Sequence, residues 1–107
     1  MEKRVDRLIH LGEKIKLNIN LPPVDNASMD DYDFIAKAYC VPYKSQIITK
    51  ANALRDDANN YVAKIDSSIL GLGRVRLRIT AQIPDGDFED GYRPSICEID
   101  THYIIVP

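Results

Sequence analysis

The stretch Asn60–Pro84, NYVAKIDSSILGLGRVRLRITAQIP, decides the fold. From Arg74 to Ile83 it alternates strictly between polar and apolar side chains. Because successive side chains of a strand point to opposite faces, this alternation predicts a strand with one buried and one wet face. The buried set is Val75, Leu77, Ile79, Ala81 and Ile83, and the wet set is Arg74, Arg76, Arg78, Thr80 and Gln82.

A second, shorter strand is predicted just upstream, from Asn60 to Asp66, where Tyr61 and Val62 favour extended backbone. Ser67–Gly73 joins the two strands, and its two glycines supply positive-φ positions at which the chain can reverse. This connection is longer than a two-residue turn, so the strands either form a hairpin or cross between two sheets. Three apolar residues of the connection are expected to plug the end of a sandwich: Ile69, Leu70 and Leu72.

The rest of the chain predicts five more strands at roughly regular spacing. They are Arg4–His10, Lys14–Leu21, Tyr32–Val41, Gln46–Lys50 and Arg93–Val106, the last bent near Asp100. Ala51–Asp57 is too short for an independent helix and is interpreted as a connection with about one helical turn. Seven strands without an amphipathic helix predict an all-β fold, a seven-stranded antiparallel immunoglobulin-like β-sandwich, with a small barrel as the alternative. We expect residues 1–107 to form a single domain.

Composition narrows the range of partners. The chain has 107 residues, 45% of them apolar and 28% charged, which is ordinary for a globular protein. Its formal net charge of −2 gives no basic footprint for nucleic acid. Neither a secretory signal nor an apolar run of membrane-spanning length is visible, so we expect cytoplasmic synthesis and no membrane partner.

An acidic loop follows the predicted strand Arg74–Ile83. Asp85, Asp87 and Glu89 have the i, i+2, i+4 spacing that suits calcium, but an EF-hand also needs Gly at position 6 and an acid at position 12. Those positions hold Asp90 and Ile96, so an EF-hand is excluded. The favoured interpretation is a solvated hairpin tip, where Asp and Gly serve turn geometry. The alternative is a small ligand-binding domain whose loop, including Asp90, binds Ca²⁺ or a carbohydrate.

Two surfaces and one strand edge are candidates for an interaction face. Three arginines on one strand face lie about 7 Å apart and either dock an acidic partner or, the favoured interpretation, pair with acids on adjacent strands. The arginines are Arg74, Arg76 and Arg78, and the candidate acids are Asp33, Glu98 and Asp100. The second surface is the outer side of Tyr32–Val41, which is unusually apolar at Ile35, Tyr39 and Val41. The end of the last strand, including Ile105, is expected to present an exposed edge to another chain.

Other chemistry-bearing residues predict no catalysis. Cys40 and Cys97 are expected on strands that flank the central one, about 9 to 10 Å apart and too far for a disulfide, as buried free thiols. His10 and His102 are too isolated for a metal site, and zinc spacings are absent. No nucleophile motif or phosphate loop occurs, so neither an enzyme nor a cofactor is expected.

A series of short motifs carries a resemblance to a known group of proteins. The motifs are Gly12–Leu17, Met29–Phe34, Tyr61–Ala63 with Asp66–Ser68, Leu70–Gly73 and Ile83–Phe88. In this order they resemble small proteins of the phages and prophages of gut Bacteroidales. The resemblance implies an immunoglobulin-like domain of a tail or baseplate, which works in assembly or adhesion. It provides no active-site residues. We therefore expect a structural or interaction module whose partners are copies of itself or other virion proteins.

Overall fold

The fold is built almost entirely from strands. The computed structural model describes residues 6–41 and 43–107. Within them lie eight strands: β1 Arg7–His10, β2 Lys14–Asn20, β3 Asp33–Val41, β4 Lys44–Thr49, β5 Leu54–Asp57, β6 Asn60–Asp66, β7 Gly73–Pro84 and β8 Tyr92–Val106. A one-turn helix, α1 (Ser67–Leu70), and a 3₁₀ turn at Lys50–Asn52 complete the secondary structure. The all-β prediction is confirmed, whereas the prediction of seven strands is wrong.

The additional strand is β5, which falls in the segment predicted to be a connection. It pairs with β6, so that Leu54 lies opposite Val62 and Arg55 opposite Tyr61. All four β5 residues are exposed, which explains why no apolar alternation marks them in the sequence. The first two residues of the predicted first strand, and Pro42, lie outside the described residues.

The strands form two sheets. The larger sheet has the order β1-β8-β7-β3-β4, and the smaller has the order β2-β6-β5. The pairing between strands is antiparallel except for β1 and β8, which run parallel. The prediction of a wholly antiparallel arrangement is therefore wrong, because the first strand returns to lie beside the last.

The chain crosses between the sheets at α1. β6 belongs to the smaller sheet and β7 to the larger, so the crossing alternative is confirmed and the hairpin alternative is wrong. The Asp66 carboxylate caps the helix by accepting from the Ser68 N–H at 3.0 Å. Gly71 ends it with a φ of 79°, a conformation that glycine adopts without a steric penalty.

The core lies between the two sheets. All five apolar residues predicted for the inner face of β7 are at most 4% exposed. Facing strands add further buried residues: Phe34, Ala36 and Ala38 from β3, Leu17 and Ile19 from β2, and Ala63 and Ile65 from β6. Leu70 plugs the sandwich end as predicted, but Ile69 and Leu72 are 46% and 49% exposed, because the single turn of α1 buries Leu70 and not Ile69, and Leu72 lies beyond the turn.

β8 bends at the predicted place. His102 has a φ of 64°, and the pairing register of β7 with β8 shifts between Arg74 and Arg76. The Thr101 hydroxyl donates to the Val75 carbonyl at 2.8 Å across this irregularity. Beyond the bend, β8 lies between β7 and β1, whereas before it only β7 pairs with β8 within the described residues.

Candidate interaction surface

The outer face of the five-stranded sheet carries exposed isoleucines on three different strands. Ile35 of β3, Ile47 of β4 and Ile96 of β8 are 48%, 53% and 55% exposed, and we call them the isoleucine patch. Cross-strand register sets Thr80 of β7 opposite both Ile35 and Ile96, so these side chains form one row across the sheet. Ile47 belongs to the adjacent row, opposite Lys37. An uncovered apolar surface of this kind is typical of a contact site.

Basic side chains border the isoleucine patch. The Ile47 row continues through Lys37 to Arg78 and then to Glu98. In the next row, Arg76 lies between a tyrosine of β3 and Asp100 of β8. Among the described residues, no carboxylate oxygen lies within 4 Å of the Arg76 or Arg78 guanidinium. The face therefore combines apolar contact area with accessible positive charge.

Tyr39 spans this face. Its hydroxyl donates a hydrogen bond to Glu98 on β8, although β7 separates the two strands. That bond to a carboxylate raises the pKa of the Tyr39 phenol above its usual value. The Lys37 ammonium lies 5.6 Å from the centre of the Tyr39 ring. The Tyr39 side chain thus reaches across β7 to β8, and both Tyr39 and Val41 are half-buried.

Arg74, the third predicted arginine, is committed to intramolecular ion pairs. It contacts Asp6 at 2.9 Å and Asp100 at 3.0 Å, and His102 Nδ1 lies 3.1 Å from Asp6. The hydrogen bonds from Arg74 lower the pKa of Asp6 to about 2, and the same carboxylates raise that of Arg74. The His102 backbone N–H and then Arg74 lower the pKa of Asp100. Asp33, another predicted partner of the arginines, lies opposite Gln82 instead.

The predicted exposed edge at the end of the last strand is wrong. Ile104, Ile105 and Val106 pair with β1 residues 8–10, and Ile105 is only 2% exposed. Ile105 therefore belongs to the core and not to an accessible face. Among the residues that the structure describes, the unpaired edge lies earlier in the same strand, between Tyr92 and Asp100.

In the acidic loop, the Asp85 and Asp90 carboxylates accept hydrogen bonds within the β7–β8 hairpin. Asp85 accepts from the Asp87 N–H at 3.0 Å and from Arg93 Nε at 3.0 Å. Asp90 accepts from the Tyr92 N–H at 3.3 Å. Within residues 6–41 and 43–107, no group of three or more acidic, His or Cys side chains has an arrangement that would hold a metal ion. The structure thus does not assemble Asp85, Asp87, Glu89 and Asp90 into a ligand set.

The cysteines are free, and their strands, β3 and β8, flank β7 as predicted. Cys40 is half-buried, and burial raises the pKa of its thiol. Cys97 is exposed, so the prediction of a buried thiol is wrong for this residue. Both faces of β8 are open to solvent around Cys97, since every residue from Pro94 to Glu98 is exposed.

Sequence reasoning missed the contributions of two strand residues, Ile47 and Ile96. Each occupies the outer position of its strand, and the alternation of apolar residues within β4 and β8 was too irregular to assign a face. Gln46, also missed, bridges the sheets: its amide donates to the Lys64 carbonyl at 2.9 Å and accepts from the Asp66 N–H at 2.9 Å.

No protein-family model, curated protein or solved structure matches this chain. Among the described residues, the structure contains no helix with the length and apolarity needed to cross a membrane.

Proposed function

We propose that this chain is a non-enzymatic interaction module that joins a larger protein assembly through the outer face of its five-stranded sheet. The observation that carries the proposal is the isoleucine patch, whose three side chains are each about half exposed on one surface. Burial of such apolar area is the main driving force of protein association, at about 25 cal/mol per Å².

The charges next to the patch indicate the kind of surface that it binds. Arg76 and Arg78 are exposed beside the apolar row, and Lys37 is half-exposed. A partner that places acidic side chains around an apolar centre would complement this face, since complementary charge directs encounter and suppresses wrong partners. Tyr39 adds a rigid amphipathic ring, the type of residue that is enriched at contact sites.

We base the proposed kind of assembly on the resemblance of the sequence motifs to phage proteins. The motif order described above resembles tail and baseplate proteins of Bacteroidales phages, and we propose a role in a virion assembly of that type. We also propose that the two-sheet arrangement is immunoglobulin-like. The two facing sheets with a shared core support this assignment, while the parallel β1–β8 pair and the strand β5 are additions to the expected pattern.

The proposal is tested by solution mass, measured by size-exclusion chromatography with light scattering across protein and salt concentrations. We expect a discrete oligomer that dissociates in the double variant Ile35→Lys, Ile47→Lys, since two charges would then replace buried apolar contacts. If the outer faces of two copies meet, salt should strengthen the oligomer, because it screens the repulsion between the exposed arginines of the two faces.

The matched control is Leu72→Lys, which changes an equally exposed apolar residue (49%) in the α1–β7 connection, outside the patch. It should leave the mass of the oligomer unchanged. If wild type and the double variant had the same mass at every concentration, a contact through this face would be ruled out.

A further inference from the structure

β8 has an edge that is unpaired among the described residues and that borders the outer face, with Ile96 belonging to both. Within residues 6–41 and 43–107, β7 pairs with most of the length of β8, and β1 pairs with its other side only from Tyr103 to Val106. On the uncovered side, five consecutive residues from Pro94 to Glu98 are exposed. An unpaired edge presents a row of backbone donors and acceptors to another strand.

The turn before β8 determines which backbone groups face this edge. The Asp85 N–H donates to the Gly91 carbonyl at 2.8 Å, so these two residues form a hydrogen-bonded pair. Such pairs alternate along an antiparallel ladder. Odd-numbered residues from Arg93 to Ile99 therefore direct their backbone groups to β7, and even-numbered residues from Tyr92 to Asp100 direct theirs outward. The position of Pro94 agrees, because a proline fits in an edge strand where its missing N–H would face solvent.

We propose that a second copy of this chain pairs with this edge, β8 against β8 in antiparallel orientation, with Ile96 opposite Ile96. The two five-stranded sheets would then join into one continuous sheet across a two-fold axis. This inference rests on the proposed function only for the role of the chain as an assembly module, and it places the contact at the β8 edge rather than on the outer face.

The charges along the segment favour a second copy in antiparallel orientation. On the outer face of the segment, the first three residues, Tyr92, Pro94 and Ile96, are uncharged, and the last two, Glu98 and Asp100, are acidic. Antiparallel pairing sets the acidic end of each copy beside the uncharged end of the other, whereas parallel pairing would set like charges side by side. At the centre of the segment, Ile96 of one copy then lies opposite Ile96 of the other.

The same residues select the register. With Ile96 opposite Ile96, the two Glu98 residues lie about 13 Å apart along the strands. A shift that sets Ile96 opposite Glu98 would bring the two carboxylates to about 8 Å, which is unfavourable for like charges. A shift in the other direction would place Pro94, which has no N–H, in both central hydrogen-bonded pairs.

The inner face of β8 along this edge is also compatible with pairing to a second copy. Ser95 and Cys97 form one wall of a cavity of about 210 Å³, whose other wall includes Leu21 and Val24. In the proposed register Ser95 of each copy lies opposite Cys97 of the other, and the added strand extends this wall and narrows the opening of the cavity.

A matched pair of variants at Glu98 tests the backbone contact. Glu98→Pro removes an outward-facing N–H and leaves the ladder with β7 intact, whereas Glu98→Ala keeps that N–H; both lose the bond to Tyr39. We expect wild type and Glu98→Ala to form the same dimer by light scattering, and Glu98→Pro to raise the dimer dissociation constant about tenfold or more, because two intermolecular bonds are lost. Circular dichroism and urea unfolding would check that both variants fold.

The outcomes separate this inference from the proposed function. A wild type that remains monomeric, or a Glu98→Pro dimer as tight as that of Glu98→Ala, overturns the edge contact. If in the latter case Ile35→Lys, Ile47→Lys dissociates the oligomer, the outer face is the contact and only the edge fails. Loss of the dimer in Glu98→Pro with its retention in the double variant supports the edge.

A cysteine variant tests the register. Opposite residues of a non-hydrogen-bonded antiparallel pair have Cα atoms about 4.5 Å apart, within the range of a disulfide. Ser95→Cys should therefore form intermolecular disulfides with Cys97 under mild oxidation. The control, Ser95→Cys with Cys97→Ser, should not cross-link, because position 95 does not meet itself in this register. Equal cross-linking of both proteins overturns the register.

Discussion

The two halves of β8 have similar apolar content but opposite environments. Ile96 in the first half is 55% exposed, whereas Ile105 in the second half is 2% exposed. The difference lies in their neighbours, because β1 pairs with the second half and the first half has only β7 beside it within the described residues. Burial of an isoleucine in this strand is therefore decided by strands that are distant in sequence, and not by its own segment.

The largest expected effect is a contrast between these two isoleucines. Ile105→Ala should lower the free energy of unfolding by about 2–5 kcal/mol, since it deletes buried methyl groups and leaves a cavity. Ile96→Ala should change it by less than about 0.5 kcal/mol, as expected for an exposed site. Urea unfolding monitored by circular dichroism, at a concentration where the protein is monomeric, measures both values. Equal losses would mean that the two halves are equally covered.

A smaller effect is expected at the bend between the halves. His102 has a φ of 64°, a left-handed conformation that Asn tolerates and β-branched residues do not. His102→Val should therefore be less stable than His102→Asn by about 1 kcal/mol. Both variants lose the imidazole contact with Asp6, so their difference in urea midpoint isolates the backbone. If they were equally stable, the bend would not depend on this conformation.

At low pH, the second half of β8, which pairs with β1, should be the first part of the sheet to lose stability. The pKa of Asp6 is lowered from 3.8 to about 2 in the folded protein by hydrogen bonds from Arg74 and His102. A carboxylate with a lowered folded pKa stabilises the protein fully above its unfolded pKa, and this contribution is lost as the pH falls through the folded value. The stability difference between wild type and Asp6→Asn should therefore be constant above about pH 4 and shrink toward pH 2.

Thermal unfolding of both proteins at a series of pH values measures this difference. The hydrogen-exchange protection factors of β1 amides, which correct for the intrinsic pH dependence of exchange, should fall over the same pH range in wild type. A difference that did not change between pH 4 and pH 2 would contradict the role assigned to Asp6.

The smallest effect concerns the cysteines and leaves stability almost unchanged. The exposed Cys97 in the open half should react rapidly with a thiol reagent, and Cys40 slowly, because it is half-buried and its pKa is raised. Reaction rates of Cys40→Ser and Cys97→Ser, at low protein concentration, assign the two phases. Faster reaction of Cys40 would reverse this order of exposure.

Strong local alternation made much of the fold predictable. The inner face of β7 follows from side-chain periodicity and is confirmed. The β6 boundaries, predicted from the extended-backbone preference of Tyr61 and Val62, and the predicted bend near Asp100 are also confirmed. Periodicity also assigned Ile35 to the outer face of β3. These features depend on the segment itself, so a single sequence contains the information.

Features that depend on distant pairing were not predictable. The parallel return of β1 to β8 buries Ile105 and, among the described residues, leaves the unpaired edge at Tyr92–Asp100; nothing in the Arg7–His10 segment indicates its partner. β5 was missed for a similar reason, since its four residues are exposed and only the backbone pairing with β6 makes them a strand. The isoleucine patch combines three strands, so its extent required the order of the sheet.

The pairing of β1 with β8 also has a consequence for biosynthesis. Arg7 and its partner Tyr103 are 96 residues apart in the chain. A ribosome therefore releases β1 long before its partner strand exists, and Ile9 stays unburied during that interval. Contacts of such high sequence separation form slowly. The nascent chain thus has a period in which a chaperone could shield β1, and closure of the larger sheet becomes a late step of folding.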